Sequence, residues 1–152
     1  MTKTLAWMGD GAPRMEVAHV AQIEPTFAAS GTQLGATYEL RYRLGPETLH
    51  LELVGERTLE VGLDGADFFD LGWSPLFNSL PVIRDRLLDP GPARDYRMRW
   101  VEVPSLQVTV SEQRYTPLGG GVVRFQSGEF VSDIEFDAEG FVVSYPGIGA
   151  RA

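Results

Sequence analysis

The stretch Tyr38-Glu39-Leu40-Arg41-Tyr42-Arg43-Leu44 sets four apolar residues against three charged ones in strict alternation. Side chains on a strand point to opposite faces at each step, so a period of two predicts a strand with one dry and one wet face. Tyr38, Leu40 and Tyr42 are expected inside, and Glu39, Arg41 and Arg43 outside. The pattern continues downstream. After the turn signal Gly45-Pro46, Leu49, Leu51 and Leu53 alternate with His50 and Glu52; after Gly55, Leu59, Val61 and Leu63 alternate with Glu60 and Gly62. Three strands joined by short turns read as an antiparallel meander.

The second half repeats the theme. Tyr96, Met98 and Trp100 alternate with Arg97 and Arg99, and beyond Pro104, Val108 and Val110 alternate with polar residues. The run Gly119-Gly120-Gly121 lacks the Lys-Ser/Thr and following helix of a phosphate loop, so it reads as a hairpin loop before a strand near Val122 to Gln126. Phe130, Ile134 and Phe136 then oppose Val131, Asp133 and Glu135, and Phe141 to Tyr145 closes the series. Weaker strands near Thr4 to Met8 and Met15 to Ile23 bring the total to about ten. Helical spacing is scarce. One short helix is expected where Ser79 could cap a turn with Pro81 near its start, Leu80, Ile83, Leu87 and Leu88 on one side, and Asp89-Pro90-Gly91 as the stop. Many one-faced strands with close turns predict an all-β fold, an antiparallel barrel or spiral β-roll, because those architectures bury the apolar side of every strand. A shift of 75 residues lays Leu59–Gly72 on Ile134–Gly147 with glycines matched, which predicts two related halves meeting near residue 75.

At 152 residues, 43% apolar and 22% charged, the chain has the size and composition of one folded domain. Thirteen basic and twenty-one acidic side chains leave a net charge of −8, which repels phosphate backbones and argues against nucleic acid as a partner. The absence of Cys removes disulfides, thiolate nucleophiles and sulfur-ligated metals. The longest uncharged stretch, Pro25 to Tyr38, is too short and too polar to span a bilayer. The N-terminus has too few apolar residues before Gly9-Asp10 for a secretory signal, so a cytoplasmic location is expected.

Chemistry-bearing patterns are few. His19 and His50 lie in strand contexts without a motif, and Asp133, Glu135 and Asp137 share the wet face of a strand. Asp67 and Asp70 lie beside an aromatic segment. No nucleophile, metal or nucleotide motif stands out, and no cofactor is expected. The unusual feature is Asp70 to Arg84, Asp-Leu-Gly-Trp-Ser-Pro-Leu-Phe-Asn-Ser-Leu-Pro-Val-Ile-Arg, which places Trp, Phe, aliphatics and two prolines in an uncharged interior. It reads either as packed core or as the wall of an apolar cavity with Asn78 and Arg84 as polar handles.

Three motifs in order resemble a bacterial family described as putative glycolipid-binding proteins. Asp70-Leu71 followed by Ser74-Pro75 and Asn78-Ser79-Leu80-Pro81-Val82 is similar to the family's middle motif. Val101-Glu102-Val103-Pro104-Ser105-Leu106-Gln107-Val108 with Gln113-Arg114-Tyr115 is similar to its second, and Asp137 to Gly147, including Gly140-Phe141-Val142 and Tyr145-Pro146-Gly147, to its third. Where the family pairs two arginines after Leu-Pro-Ile, this chain has Ile83-Arg84. The resemblance implies a spiral, roll-like barrel similar to that of lipoprotein carriers that hold acyl chains, and a lipid or glycolipid as partner. The candidate ligand-binding residues are Trp73, Phe77, Asn78, Arg84, Tyr42, Trp100, Tyr115 and Tyr145. Binding of an apolar or amphipathic ligand without catalysis is the first functional expectation. The alternatives are a protein-interaction module using residues 70–84, and an enzyme acting on a lipid or sugar with Asp70 or Glu60 as base. An interior carboxylate of raised pKa in a cavity would point to the enzyme, and an exposed apolar patch without a void to the interaction module.

Overall fold

A computed structural model describes residues 2–22 and 27–152. Among the described residues thirteen strands form one sheet: β1 (Lys3–Gly9), β2 (Met15–Gln22), β3 (Ala28–Leu34), β4 (Glu39–Leu44), β5 (Thr48–Leu53), β6 (Arg57–Gly62), β7 (Phe68–Leu71), β8 (Arg94–Val101), β9 (Val108–Gly119), β10 (Val122–Ser127), β11 (Phe130–Phe136), β12 (Val142–Tyr145) and β13 (Gly149–Arg151). The helix α1 (Pro75–Arg84) lies between β7 and β8 in the chain. Ile23, where the second expected strand was to end, and Pro25 lie outside the described residues.

The alternation at Leu40 to Leu44 is realised. Leu40, Tyr42 and Leu44 are buried while Arg41 and Arg43 are exposed; Tyr38 precedes the strand and is half-buried, as is Glu39. The strand order is β6-β5-β4-β3-β2-β1-β13-β12-β11-β10-β9-β8-β7, antiparallel except for the parallel pair β7 and β8. Laid flat, thirteen strands at a spacing of about 4.8 Å would put the two edges about 58 Å apart. Those edges are consecutive in the chain, joined only by residues 63–67, whose reach is about 21 Å. The sheet must therefore curl. Its edges approach without pairing, so the structure is an open roll; the closed barrel is corrected, because closure needs a ladder between first and last strands and β6 and β7 form none.

The segments Leu59–Gly72 and Ile134–Gly147, which the 75-residue shift lays on each other, occupy different places in the sheet. β11 and β12 are adjacent partners, whereas their supposed counterparts β6 and β7 occupy opposite edges. What the two segments share is an amphipathic strand followed by an acidic turn.

The helix occupies the interior of the roll and explains why helical periodicity was weak. It starts five residues before the expected cap: Ser74 is the N-cap, Pro75 stands in the first turn, and Pro81 lies inside. Residues Pro75 to Val82 are all buried. A helix surrounded by sheet needs no polar face, so its sequence shows no amphipathic stripe. It touches both walls: the Phe77 ring meets Tyr42 edge-on at 5.4 Å, and the Ser79 hydroxyl accepts the Val142 N–H at 3.2 Å. Over the short strand β13, the Trp7 indole N–H of β1 donates to the Val142 carbonyl of β12 at 2.8 Å. An edge-to-face series runs from Phe68 to Tyr96 (5.7 Å), Tyr115 (5.4 Å), Phe125 (5.4 Å) and Tyr145 (6.2 Å). Each such pair is worth about 0.5–1.5 kcal/mol beyond its buried area, so the series stiffens the wall from β7 to β12.

Candidate functional site

A cavity of about 930 Å³ opens where the end of β7 and the start of α1 face β8, β9 and β10. The turn between β7 and α1 supplies Trp73, held at φ 62° with its indole exposed at the mouth. The Arg14 guanidinium stacks over that ring at 4.1 Å. Trp100, Val110, Phe125, Phe130 and Tyr145 complete an apolar wall. Trp73, Val110 and Phe130 are each more than two-fifths exposed, so the mouth presents apolar surface to solvent.

Beneath this wall the lining becomes polar. Asp70 on β7 and Gln113 on β9 are both buried, and the Gln113 amide donates to Asp70 Oδ2 at 2.6 Å and to the Ser111 hydroxyl at 3.2 Å. Gln113 Oε1 has no partner, and neither has the Ser74 hydroxyl, which also lines the cavity. Burial pushes the Asp70 carboxyl up to about 6, and the bond from Gln113 only partly offsets this. Asn78 on α1 also lines the cavity and donates to the Tyr115 hydroxyl at 3.2 Å. Burial, with the Asp70 charge adding to it, raises the Tyr115 and Tyr145 hydroxyls above the usual phenol range, so both remain neutral donors.

Behind the mouth stands a second buried carboxyl. Glu16 on β2 accepts the Tyr42 hydroxyl at 3.0 Å, and the Ser74 hydroxyl, the Gln33 amide and the Leu76 N–H lie around it. Its other oxygen has no bond of normal geometry. Ser74 makes no side-chain cap bond, so a carboxyl from the opposite wall stands where an N-cap acceptor ordinarily would. Burial raises Glu16 to about 7.

Of the expected ligand-binding residues, the cavity brings together Trp73, Asn78, Trp100 and Tyr145. Tyr115 is fully buried and meets the site through Asn78. Tyr42 and Phe77 pack against each other away from this cavity. Arg84 lies at the far end of α1, stacked over Phe68 at 4.0 Å and bonded to Asp85 at 3.3 Å. It belongs to a separate cavity of about 170 Å³. Sequence reading passed over Gln113, Ser111 and Ser74. Gln113 was legible: it sits two residues before Tyr115 on one strand, so an inward Tyr implies an inward Gln. Between Asp70 and Arg84 only Trp73 and Arg84 are exposed, leaving no broad apolar surface for a docking module. His50 pairs with Glu60 at 3.3 Å on the outer face of the sheet, far from the cavity lining. Among the described residues no cluster of three His, Asp or Glu stands close enough to hold a metal, and no helix is long and apolar enough to cross a membrane.

Residues 51–151 match the family described as putative glycolipid-binding. The chain belongs to this family. The match takes in α1, the polar residues beneath the aromatic wall and every strand from β7 onward. The crystal structure of a DUF1089 family protein from Pseudomonas aeruginosa is similar over 99% of this chain and 94% of its own, with a TM-score of 0.63 at 21% identity. That likeness concerns the fold. No curated protein matches the sequence.

Proposed function

We propose that this protein, acting as one all-β domain, binds an amphipathic ligand with a sugar head in the cavity between α1 and β8–β10. The observation that carries this reading is a cavity of about 930 Å³ whose aromatic wall stands over buried amide, carboxyl and hydroxyl groups, with Gln113 Oε1 unpartnered. Buried polar atoms without partners are rare in folded proteins, and here a ligand's hydroxyl groups would supply the missing bonds. Pyranose rings present apolar faces and polar edges, which suit an aromatic wall above hydrogen-bonding groups. The exposed Trp73, Val110 and Phe130 at the mouth suit an alkyl chain leaving the site. The family description is consistent with such a ligand. Native mass spectrometry of protein purified from its own host should show a co-purified mass that organic extraction removes and that a glycolipid explains. A protein that is bare in that measurement and binds no alkyl glycoside would overturn the proposal.

One observation favours a second reading, catalysis on a sugar. Asp70 is an interior carboxyl with a raised pKa in a cavity. Glycosidases generally use two carboxyls about 5–9.5 Å apart across the scissile bond. The other carboxyls lining this cavity, Glu102 and Glu112, are exposed. Release of nitrophenol from aryl glycosides by the wild type, lost on Asp70→Asn, would establish this reading over simple binding.

A further inference from the structure

The charge of the cavity lining selects among amphiphiles. Asp70, Glu102 and Glu112 line it, and among the described residues no Lys, Arg or His does. Asp70 is more than nine-tenths buried and its bonded partner is the neutral Gln113 amide, so its charge is left without a counter-ion. Arg14, the cation beside the mouth, stacks on Trp73 and does not line this cavity. The same cavity is lined by two indoles, two phenyl rings and a phenol: Trp73, Trp100, Phe125, Phe130 and Tyr145. Aromatic faces attract cations, and a buried carboxylate without a counter-ion does so more strongly.

We infer that the ligand head carries a protonated amine, as an amino sugar does, and that Asp70 pairs with it beneath the aromatic wall. The inference rests on the binding function proposed above and refines its ligand class. Of the three lining carboxyls, Glu112 faces Arg97 at 3.9 Å on the exposed side, whereas Asp70 has no cation; an anionic head would bring its charge against Asp70, so carboxylate and phosphate amphiphiles are the class the site rejects.

Three amphiphiles with one alkyl chain separate these outcomes: octyl glucoside, its 2-amino-2-deoxy analogue and octyl glucuronide. Titrated calorimetrically into the full chain at pH 7, below their micellar concentrations, they should bind in the order amine, neutral sugar, carboxylate. The amine should bind at least about tenfold tighter than the neutral sugar, a factor worth about 1.4 kcal/mol. Asp70→Asn should bring the amine-to-neutral ratio close to one. Should that variant fail to fold, the wild type supplies the same test, because the ratio should fall toward one as pH drops through about 6 and Asp70 takes up a proton. Equal binding of amine and neutral sugar, or tightest binding of the glucuronide, would overturn this inference while leaving sugar-head binding standing. Binding of none of the three would overturn both.

Discussion

Trp73 keeps a left-handed backbone, φ 62°, that costs a non-glycine residue roughly 1–2 kcal/mol, and it does so with its indole at the cavity mouth. Strain retained beside a cavity is what a ligand-contacting residue would show. Trp73→Gly should therefore leave the unfolding free energy within about 1 kcal/mol of wild type in a denaturant titration while weakening alkyl glycoside binding; a large loss of stability would mark the indole as a packing residue instead. Two buried carboxyls give the pH dependence. Glu16 holds its proton up to about 7 in the folded chain against 4.5 as the ordinary value, so between those values the folded state binds more protons than the unfolded state. Stability must then decline as pH rises through that window, and Asp70 acts the same way from 3.8 to about 6. Glu16→Gln cannot ionise. Its unfolding free energy relative to wild type should grow by up to roughly 3 kcal/mol between pH 4.5 and 8; a difference that stays flat would show that Glu16 ionises normally. At this scale the sequence was readable where parity applies. Gln113 could be placed inward from Tyr115, whereas Ser74 and Glu16 meet only through the curl of the sheet, which no local pattern encodes.

The elements that periodicity missed, or in the case of α1 misplaced, were those without a wet face or without bulk. On β7 all four residues are buried, and α1 is enclosed, so neither alternates. On β3 the inward residues are Ala29, Gly31 and Gln33, small or polar, because the Tyr42 ring of β4 lies across Gly31. A methyl group there would meet that ring. Gly31→Ala should cost about 1–3 kcal/mol by thermal unfolding, and pairing it with Tyr42→Leu should recover part of the loss; independent additive costs would contradict the close approach. Phe77 is fully buried in α1 against Tyr42, outside the cavity lining. Phe77→Ala should cost about 3–5 kcal/mol yet leave glycoside affinity unchanged in the folded protein; a binding defect at full folding would return Phe77 to the site.

For the whole molecule, alternation told the number of faces but not whether the sheet closes, since barrel and open roll bury the same parity. What decides is how the two edges meet, and those edges are set by β7, a four-residue strand with no periodic signal. The roll leaves room for α1 and for a cavity at one end, which places the functional claim in the space between wall and helix. Two of the three tryptophans, Trp73 and Trp100, line that space, while Trp7 is buried elsewhere in the core. Tryptophan emission titrated with octyl glucoside below its micellar concentration is therefore the most direct test. The wild type should give a saturable blue shift, and Ser111→Phe, which fills the cavity from β9, should abolish it. No shift in the wild type, or an equal shift in the filled variant, would contradict binding in this cavity.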